Sequence, residues 1–395
     1  MTPTIRCVIM RGGTSKAVFL RENELPADPG ERTRMILQVF GSPDRRQIDG
    51  LGGADPLTSK LAIIGPPRSD DPRAAGTHCT YTFGQVEIDE ASVDWHSLCG
   101  NVSAAVGAYA IYEGYAAPVA PITPVRVFNT NLNRVLTIEV PTDGSRPIEA
   151  GDHIVAGVPG TGARIQVDFS DTAGAATGAL LPTGNPVDIL DIPGFGSIEA
   201  SLVDTGNAHV FIRAKDVGLK GNETAAEIDA QPALRATLER IRGIAAQRIG
   251  FVTEAHLSDQ LTPATPLLAM VSPPMDYLND LARKTVRANE VDLLSRLMFM
   301  QQMHKTYAAT STACTGVAAK IAGTIVHQVA RPSGLTVRIG HPAGIIETES
   351  AVSGEGPALR VVRATVSRTA RRILDGNVYL PSRPPLVQPP EYLNA

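Results

Sequence analysis

The chain has 395 residues, 43% hydrophobic and 19% charged, and its 36 basic and 40 acidic residues leave a formal charge of -4. Such a length suggests about two domains, and the composition excludes disorder on the scale of the whole chain. The charge balance argues against a dedicated nucleic-acid binder, which carries a basic excess. One local basic run, RTARR at 368–372, has a spacing that reads as the solvated face of a helix.

In chain order, TIRCVIM reads as a buried strand stopped by RGGTS, and AVFL as a second strand before a polar turn. Met35, Ile36, Val39 and Phe40 have helical spacing, and Gly41 is placed to cap them. A glycine-rich loop, DGLGGADPLTS, feeds the apolar strand that starts at Lys60; HCTYTFGQVEID alternates like a strand. The stretch from Cys99 onward, CGNVSAAVGAYA, predicts a helix of unusually small residues. VRVFNTN and RVLTIEVP predict a hairpin around Asn-Leu-Asn, and ARIQVDFSD a further strand.

GALLPTGNPVDI, at 178–189, is rich in turn residues and sets a domain boundary, giving domains 1–182 and 183–395. Beyond it the signals repeat in outline. Strands over IEASLVDTGNAHVFIRA precede an amphipathic helix in QPALRATLERIRGIAAQRIG and a buried strand in PLLAMVS. EVDLLSRLMFMQQMHKTY reads as a helix, followed by a second small-residue helix that carries Cys314. LTVRIGHPAGIIETE and ALRVVRATVS read as strands, RTARRIL as a final helix, and the proline-rich tail after Pro381 as extended. A helix built from Ala, Gly, Ser and Thr suits close backbone approach inside a curved sheet, although periodicity alone also fits an ordinary core helix.

The four cysteines, Cys7, Cys79, Cys99 and Cys314, form no CxxC pair, and the eight histidines are scattered singly. Zinc spacing is therefore absent, the chain is too large to need disulfides, and reduced thiols in a cytoplasm are expected. Neither a signal peptide nor a spanning apolar segment is legible, so a membrane role is not expected. GxSxG and dinucleotide fingerprints are missing, and RGGTSK lacks P-loop spacing.

Cys99 falls at the N-cap region of its helix, where unpaired backbone amides carry partial positive charge; such a place activates a thiol and binds anions. Gly100 and Asn101 suit a tight entry with exposed amides; a small buried core cysteine is the alternative. TSTACTG repeats the theme, with Ser311 and Thr312 ahead of Cys314, which lies deeper in its helix and so also reads as packing. Lys60 sits at a loop-to-strand junction where burial would favour a neutral amine usable as a base; a surface lysine is the alternative. Gly13, Thr14 and Ser15 present amides and hydroxyls suited to a carboxylate, or form an ordinary turn.

Together, RGGTSKAVFL, GSPDRRQIDGLGGADPLTSK, CGNVSAAVGAYA, LPTGNPVDIL and RIGHPAG resemble the family of methylitaconate Δ-isomerases, methylaconitate isomerases and 4-oxalomesaconate tautomerases, in order and over nearly the whole chain. The resemblance implies an α+β, diaminopimelate epimerase-like fold: two pseudo-symmetric halves, each a curved, mostly antiparallel sheet around a central helix. It implies a cofactor-independent, metal-free isomerase that shifts a proton in a small unsaturated di- or tricarboxylate, and it is compatible with a homo-oligomer. The resemblance places Lys60 and Cys99 at the family's catalytic positions, with Cys314 a further candidate, and implies Gly13, Thr14, Ser15, Gly100 and Asn101 as substrate-binding residues; Ser311 and Thr312 are binding candidates from their place at the head of the second small-residue helix. The middle of the chain looks closest to the methylitaconate type.

Overall fold

The computed structural model describes residues 4–95 and 98–381, so the tail beyond Pro381 and His96 lie outside the described residues. The chain divides into two compact units, 1–166 with 368–395, and 167–367. The boundary expected at 182/183 is replaced by this double crossing, because the strand Ala370–Tyr379 returns to pair antiparallel with the first strand of the chain.

The first unit is built on β1 (Thr4–Gly12), β2 (Ser15–Arg21), β3 (Lys60–Gly65), β4 (Cys79–Val86), β5 (Ile122–Asn129) and β6 (Arg134–Pro141). From the returning strand the pairing runs to β1 and β2 antiparallel, to β3 parallel, to β4 antiparallel, to β5 parallel and to β6 antiparallel. One face of this sheet packs on helix α1 (Pro29–Phe40), through Val18, Leu20, Leu61 and Ile63 against Ile36, Leu37, Val39 and Phe40. Each such side chain removed from water contributes roughly 1.5–3 kcal/mol. Gly41 ends the helix at φ 73°, in the left-handed conformation expected of a glycine cap.

The other face receives helix α2 (Gly100–Tyr112), which is buried from Gly100 through Ile111. A helix buried all round has no polar stripe to show, and its small side chains let it press onto the sheet. A Cβ at Gly107 would stand 2.4 Å from Ile138 Cγ2 on β6. The end of α2 is anchored by Glu113, whose carboxylate accepts from Arg6 (2.6 Å), Arg21 (2.6 Å) and Arg372 (2.8 Å). Burial pushes this carboxyl up, but the hydrogen bonds from Arg6 and Arg21 win and hold it at about 2.

The second unit repeats the plan on β7 (Asp188–Ile192), β8 (Gly196–Thr205), β9 (Asn207–Arg213), β10 (Leu267–Ser272), β11 (Leu293–Phe299), β12 (Thr336–His341) and β13 (Gly344–Ser353). The senses of pairing follow the same order: antiparallel, antiparallel, parallel, antiparallel, parallel, antiparallel. Helix α3 (Pro232–Arg248) covers one face, with Leu238, Ile241 and Ala245 in its core. Helix α4 (Ala309–Lys320) is the buried small-residue helix. Gly316, eighth in α4 as Gly107 is eighth in α2, lies so close to β13 that its Cβ would stand 2.3 Å from Thr348 Cγ2.

Two expectations are corrected. The run expected to be a helix before α4 is strand β11, paired on one side with β10 and on the other with β12. Its residues from Leu293 to Met298 are all buried, so no alternation marks it as a strand, and its Leu and Met content is also helix-favouring. RTARRIL is no helix either: Arg368 ends the strand Arg360–Arg368, and Ala370 begins the returning strand.

Candidate active site

The first unit's chemistry gathers where α2 meets the β1–β2 hairpin. Cys99 is the N-cap residue of α2, extended at φ -103°, and its carbonyl accepts from both the backbone N–H (2.9 Å) and the hydroxyl (3.0 Å) of Ser103. Strands β1 and β2 join through the two-residue turn Gly13–Thr14, with Gly12 opposite Ser15 and Gly13 at φ 50°. Arg11 pins this turn by donating to the carbonyls of Gly13 (3.1 Å) and Thr369 (3.0 Å), and the Gly13 N–H donates to Thr369 O at 2.9 Å.

Asn101 ties these parts together. Its Nδ2 donates to Thr14 Oγ1 at 3.0 Å and reaches Ser15 Oγ at 3.5 Å, while its Oδ1 accepts from Arg368 Nε at 2.7 Å. Ser15 Oγ lies 3.9 Å from Cys99 Sγ. Thus Gly13, Thr14, Ser15, Cys99, Gly100 and Asn101 meet in one cluster, together with a guanidinium that the sequence reading had assigned to solvent. Arg368 is 2% exposed; burial pulls its pKa down to about 10, opposed by its electrostatic interaction with Cys99. Few side chains cost more to bury than a cation, and this one lies in direct contact with the expected site.

Lys60 opens β3 and pairs in register with Ala17, two residues along β2 from Ser15. Residues two apart on a strand share a face, so Lys60 and Ser15 look the same way, with Cα atoms about 8 Å apart from strand spacing and rise. That face is the α2 face, since Phe19, two further along, stacks on Tyr109 of α2 at 5.0 Å. The lysine is 6% exposed. Its Nζ donates to Gln85 Oε1 and sits 5.3 Å from the centroid of the Phe83 ring. Lys60 therefore lies on the sheet face against which α2, the helix headed by Cys99, packs.

The second unit carries the same frame with different chemistry. Ala308 holds the N-cap position of α4, and its carbonyl accepts from the Thr312 N–H and hydroxyl, each at 2.8 Å, as Cys99 does from Ser103. Leu267 takes the place of Lys60, opposite His209 on β9. Cys314 is six residues past the cap, has no exposed surface, and donates to Val203 O at 3.6 Å; burial raises its thiol pKa far above the usual range. A second thiol matching Cys99 at a helix start is therefore not what the fold provides. Ser311 and Thr312 are equally buried, with Ser311 Oγ 2.7 Å from His209 Nε2.

His209 Nδ1 lies 2.8 Å from Asn207 O, a carbonyl that can only accept, so Nδ1 carries the proton and Nε2 accepts from Ser311. Burial lowers the imidazole pKa to about 4. The unfolded chain, near 6.5, binds this proton first. Stability is then constant above about pH 6.5 and falls as the pH drops toward 4, by about 2 kcal/mol at pH 5. Urea titrations at pH 7.5 and 5 should show this loss, and His209→Gln should remove it; an equal loss in the variant would assign it elsewhere.

Sequence reasoning missed Arg368 and Gln85. Neither carries a motif; the one available signal for Arg368 was a charged residue within the β-branched run RVVRATVSR. Among the described residues no group of three or more His, Cys, Asp or Glu is placed to hold a metal ion, and no helix is long and apolar enough to cross a membrane.

Set against known proteins, residues 2–381 match the family model described as PrpF protein. The chain is 50% identical over 378 residues to the 3-methylitaconate isomerase of Eubacterium barkeri, covering 95% of this chain and 97% of that one. It is 36% identical over 392 residues to the 2-methyl-aconitate isomerase of Shewanella oneidensis, covering 95% and 97%. A crystal structure of methylitaconate-delta-isomerase superposes with a TM-score of 0.84 at 50% identity, over 96% of each chain. A hydroxyproline epimerase from Agrobacterium vitis superposes at 0.54 with 9% identity, over 95% and 92%, which establishes the shared epimerase-like α+β fold and nothing about activity.

Proposed function

The chain belongs to the PrpF protein family, and from that premise we propose that it is an isomerase moving a double bond within a small unsaturated dicarboxylate of the methylitaconate type. The observation that carries this reading is the buried Lys60 amine, held by a neutral amide on the sheet face against which α2, headed by Cys99, packs. The 50% identity to a 3-methylitaconate isomerase over almost the whole of both chains supports the choice of substrate.

An allylic shift removes a proton from the carbon beside a C=C–carboxylate unit and leaves a dienolate, whose charge spreads onto a group already negative. Water stabilises that poorly, so fixed donors must stand where charge grows. In this reading Lys60 takes the allylic proton, and Cys99 returns one at the far end of the three-carbon unit. The Gly13–Ser15 turn, the first amides of α2, Asn101 and the Arg368 guanidinium supply the positive end of the field.

The test is proton NMR in deuterated water with methylitaconate, methylaconitate, aconitate and oxalomesaconate. Methylitaconate is expected to isomerise and to take deuterium at its allylic carbon. Cys99→Ser is expected to keep exchange at the carbon Lys60 serves and to lose turnover. Turnover of methylaconitate or oxalomesaconate alone would move the substrate to that branch of the family. Binding without exchange at any carbon would overturn the enzyme reading.

A further inference from the structure

A buried lysine that works as a base needs a partner to fix its direction, yet the usual partner, a carboxylate, would hold the proton on it. In this chain the contact is Gln85, directly opposite Lys60 in the β3–β4 register and 5% exposed. Its amide cannot be turned around. Nε2 donates to the carbonyls of Pro56 and Ser59, both at 3.1 Å, and carbonyls only accept, so Oε1 must face the lysine. The loop leading into β3 thus orients the amide, and the amide orients the amine.

We infer that Gln85 is a positioning residue for proton transfer: its amide oxygen fixes the Lys60 amine with its lone pair turned away from β4, while adding no negative charge. The inference rests on Lys60 being the base. An amide oxygen accepts an N–H from the amine as well as from the ammonium, so the contact survives deprotonation and the lone pair is left on the opposite side. Phe83, 5.3 Å from Nζ, covers a second side with an apolar ring.

The titratable groups around this corner are Tyr81 on β4, Cys99 at the head of α2, and Glu87 and Asp94 beyond the end of β4. Tyr81 is buried, and burial holds it neutral. Glu87 has its carboxyl raised by burial and then by Asp94 and Glu90, and lowered by Lys60; Asp94 lies opposite Gln85 in register. Gln85→Glu would also set its carboxylate beside Asp94, so the uncharged Gln85→Met and the Lys60→Ala variant are needed to separate the partner of Lys60 from that pair.

The experiment compares pH profiles of kcat and KM for methylitaconate isomerisation in the wild type, Gln85→Glu, Gln85→Met and Lys60→Ala, with circular dichroism on each. Gln85→Glu puts a carboxylate on the amine, and the acid limb of kcat is expected to move up by about one pH unit or more. Gln85→Met keeps the length and the burial but loses the acceptor; kcat is expected to fall about tenfold or more, with KM little changed and the limb not raised. If Gln85→Glu folds and its limb stays in place, or if Gln85→Met keeps wild-type kcat, the inference is overturned even though Lys60→Ala is inactive. An active Lys60→Ala instead overturns the base assignment itself.

Discussion

Lys60→Ala is expected to lower kcat for isomerisation by about 10²–10⁴-fold, the range that a positioned general base supplies. The upper end is favoured by the geometry, since among the described residues of this unit the other lysine, Lys16 on β2, alternates to the opposite face. The substitution also leaves Gln85 Oε1 without the donor it has now, a loss of about 1–3 kcal/mol in a buried setting. Activity and stability must therefore be read separately, by steady-state kinetics and by urea unfolding. Because the lost group is a primary amine in a cavity of its own making, methylamine or ethylamine added to the variant is expected to restore part of the rate. Retention of near-normal kcat would remove the lysine from the mechanism. A dead enzyme that no longer unfolds cooperatively would show a structural role instead.

Gly12→Ala is the substitution expected to do most harm to the fold. A Cβ at Gly12 would stand 2.3 Å from the carbonyl oxygen of Asn101 and 3.0 Å from Ala105 Cβ, both on α2. The first obstacle is backbone, so no rotamer change relieves it, and the start of α2 must move. Overpacking of a tight core costs about 1–3 kcal/mol, and the rigid obstacle puts this case at the top of that range. Since the same displacement shifts Cys99 and Asn101, kcat is expected to fall together with stability. Gly114→Ala is the control: its φ is 77° but nothing lies within 4 Å of the added atom, so only the left-handed backbone cost of roughly 1–2 kcal/mol applies. Equal stability of the two variants would show that close approach at Gly12 is not what the sequence preserves there.

The family-scale reading was legible because the informative stretches are local. RGGTS announces a tight turn, where Gly13 takes φ 50° and a Cβ would stand 2.3 Å from Asn101 Oδ1, and CGNVSAAVGAYA announces a helix too small on every side for a solvent face. Of the candidates drawn from such stretches, those in the first unit lie where α2 packs on one sheet face. Those around Cys314 belong to the second unit, in a helix whose cap is an alanine. The Thr-Ser-Thr run lies inside that helix, and its hydroxyls are taken up within the second unit. Thr312 donates its hydroxyl back to the Ala308 carbonyl, and Ser311 pairs with His209.

By itself the sequence determined the two small-residue helices, the glycine turn that α2 leans on, the β5–β6 hairpin, and the lysine and cysteine at the heads of β3 and α2. These follow from steric and capping rules that act within a few residues. Only the tertiary structure decided that β11 is a strand, that Ala308 and not Cys314 stands where Cys99 does, and that Arg368 bonds Asn101 and Gln85 bonds Lys60. Asn101 and Arg368 meet across 267 positions of sequence, and Lys60 and Gln85 across 25. Contacts of that range are set by which strands pair and in what register, and side-chain period within a segment carries no record of it.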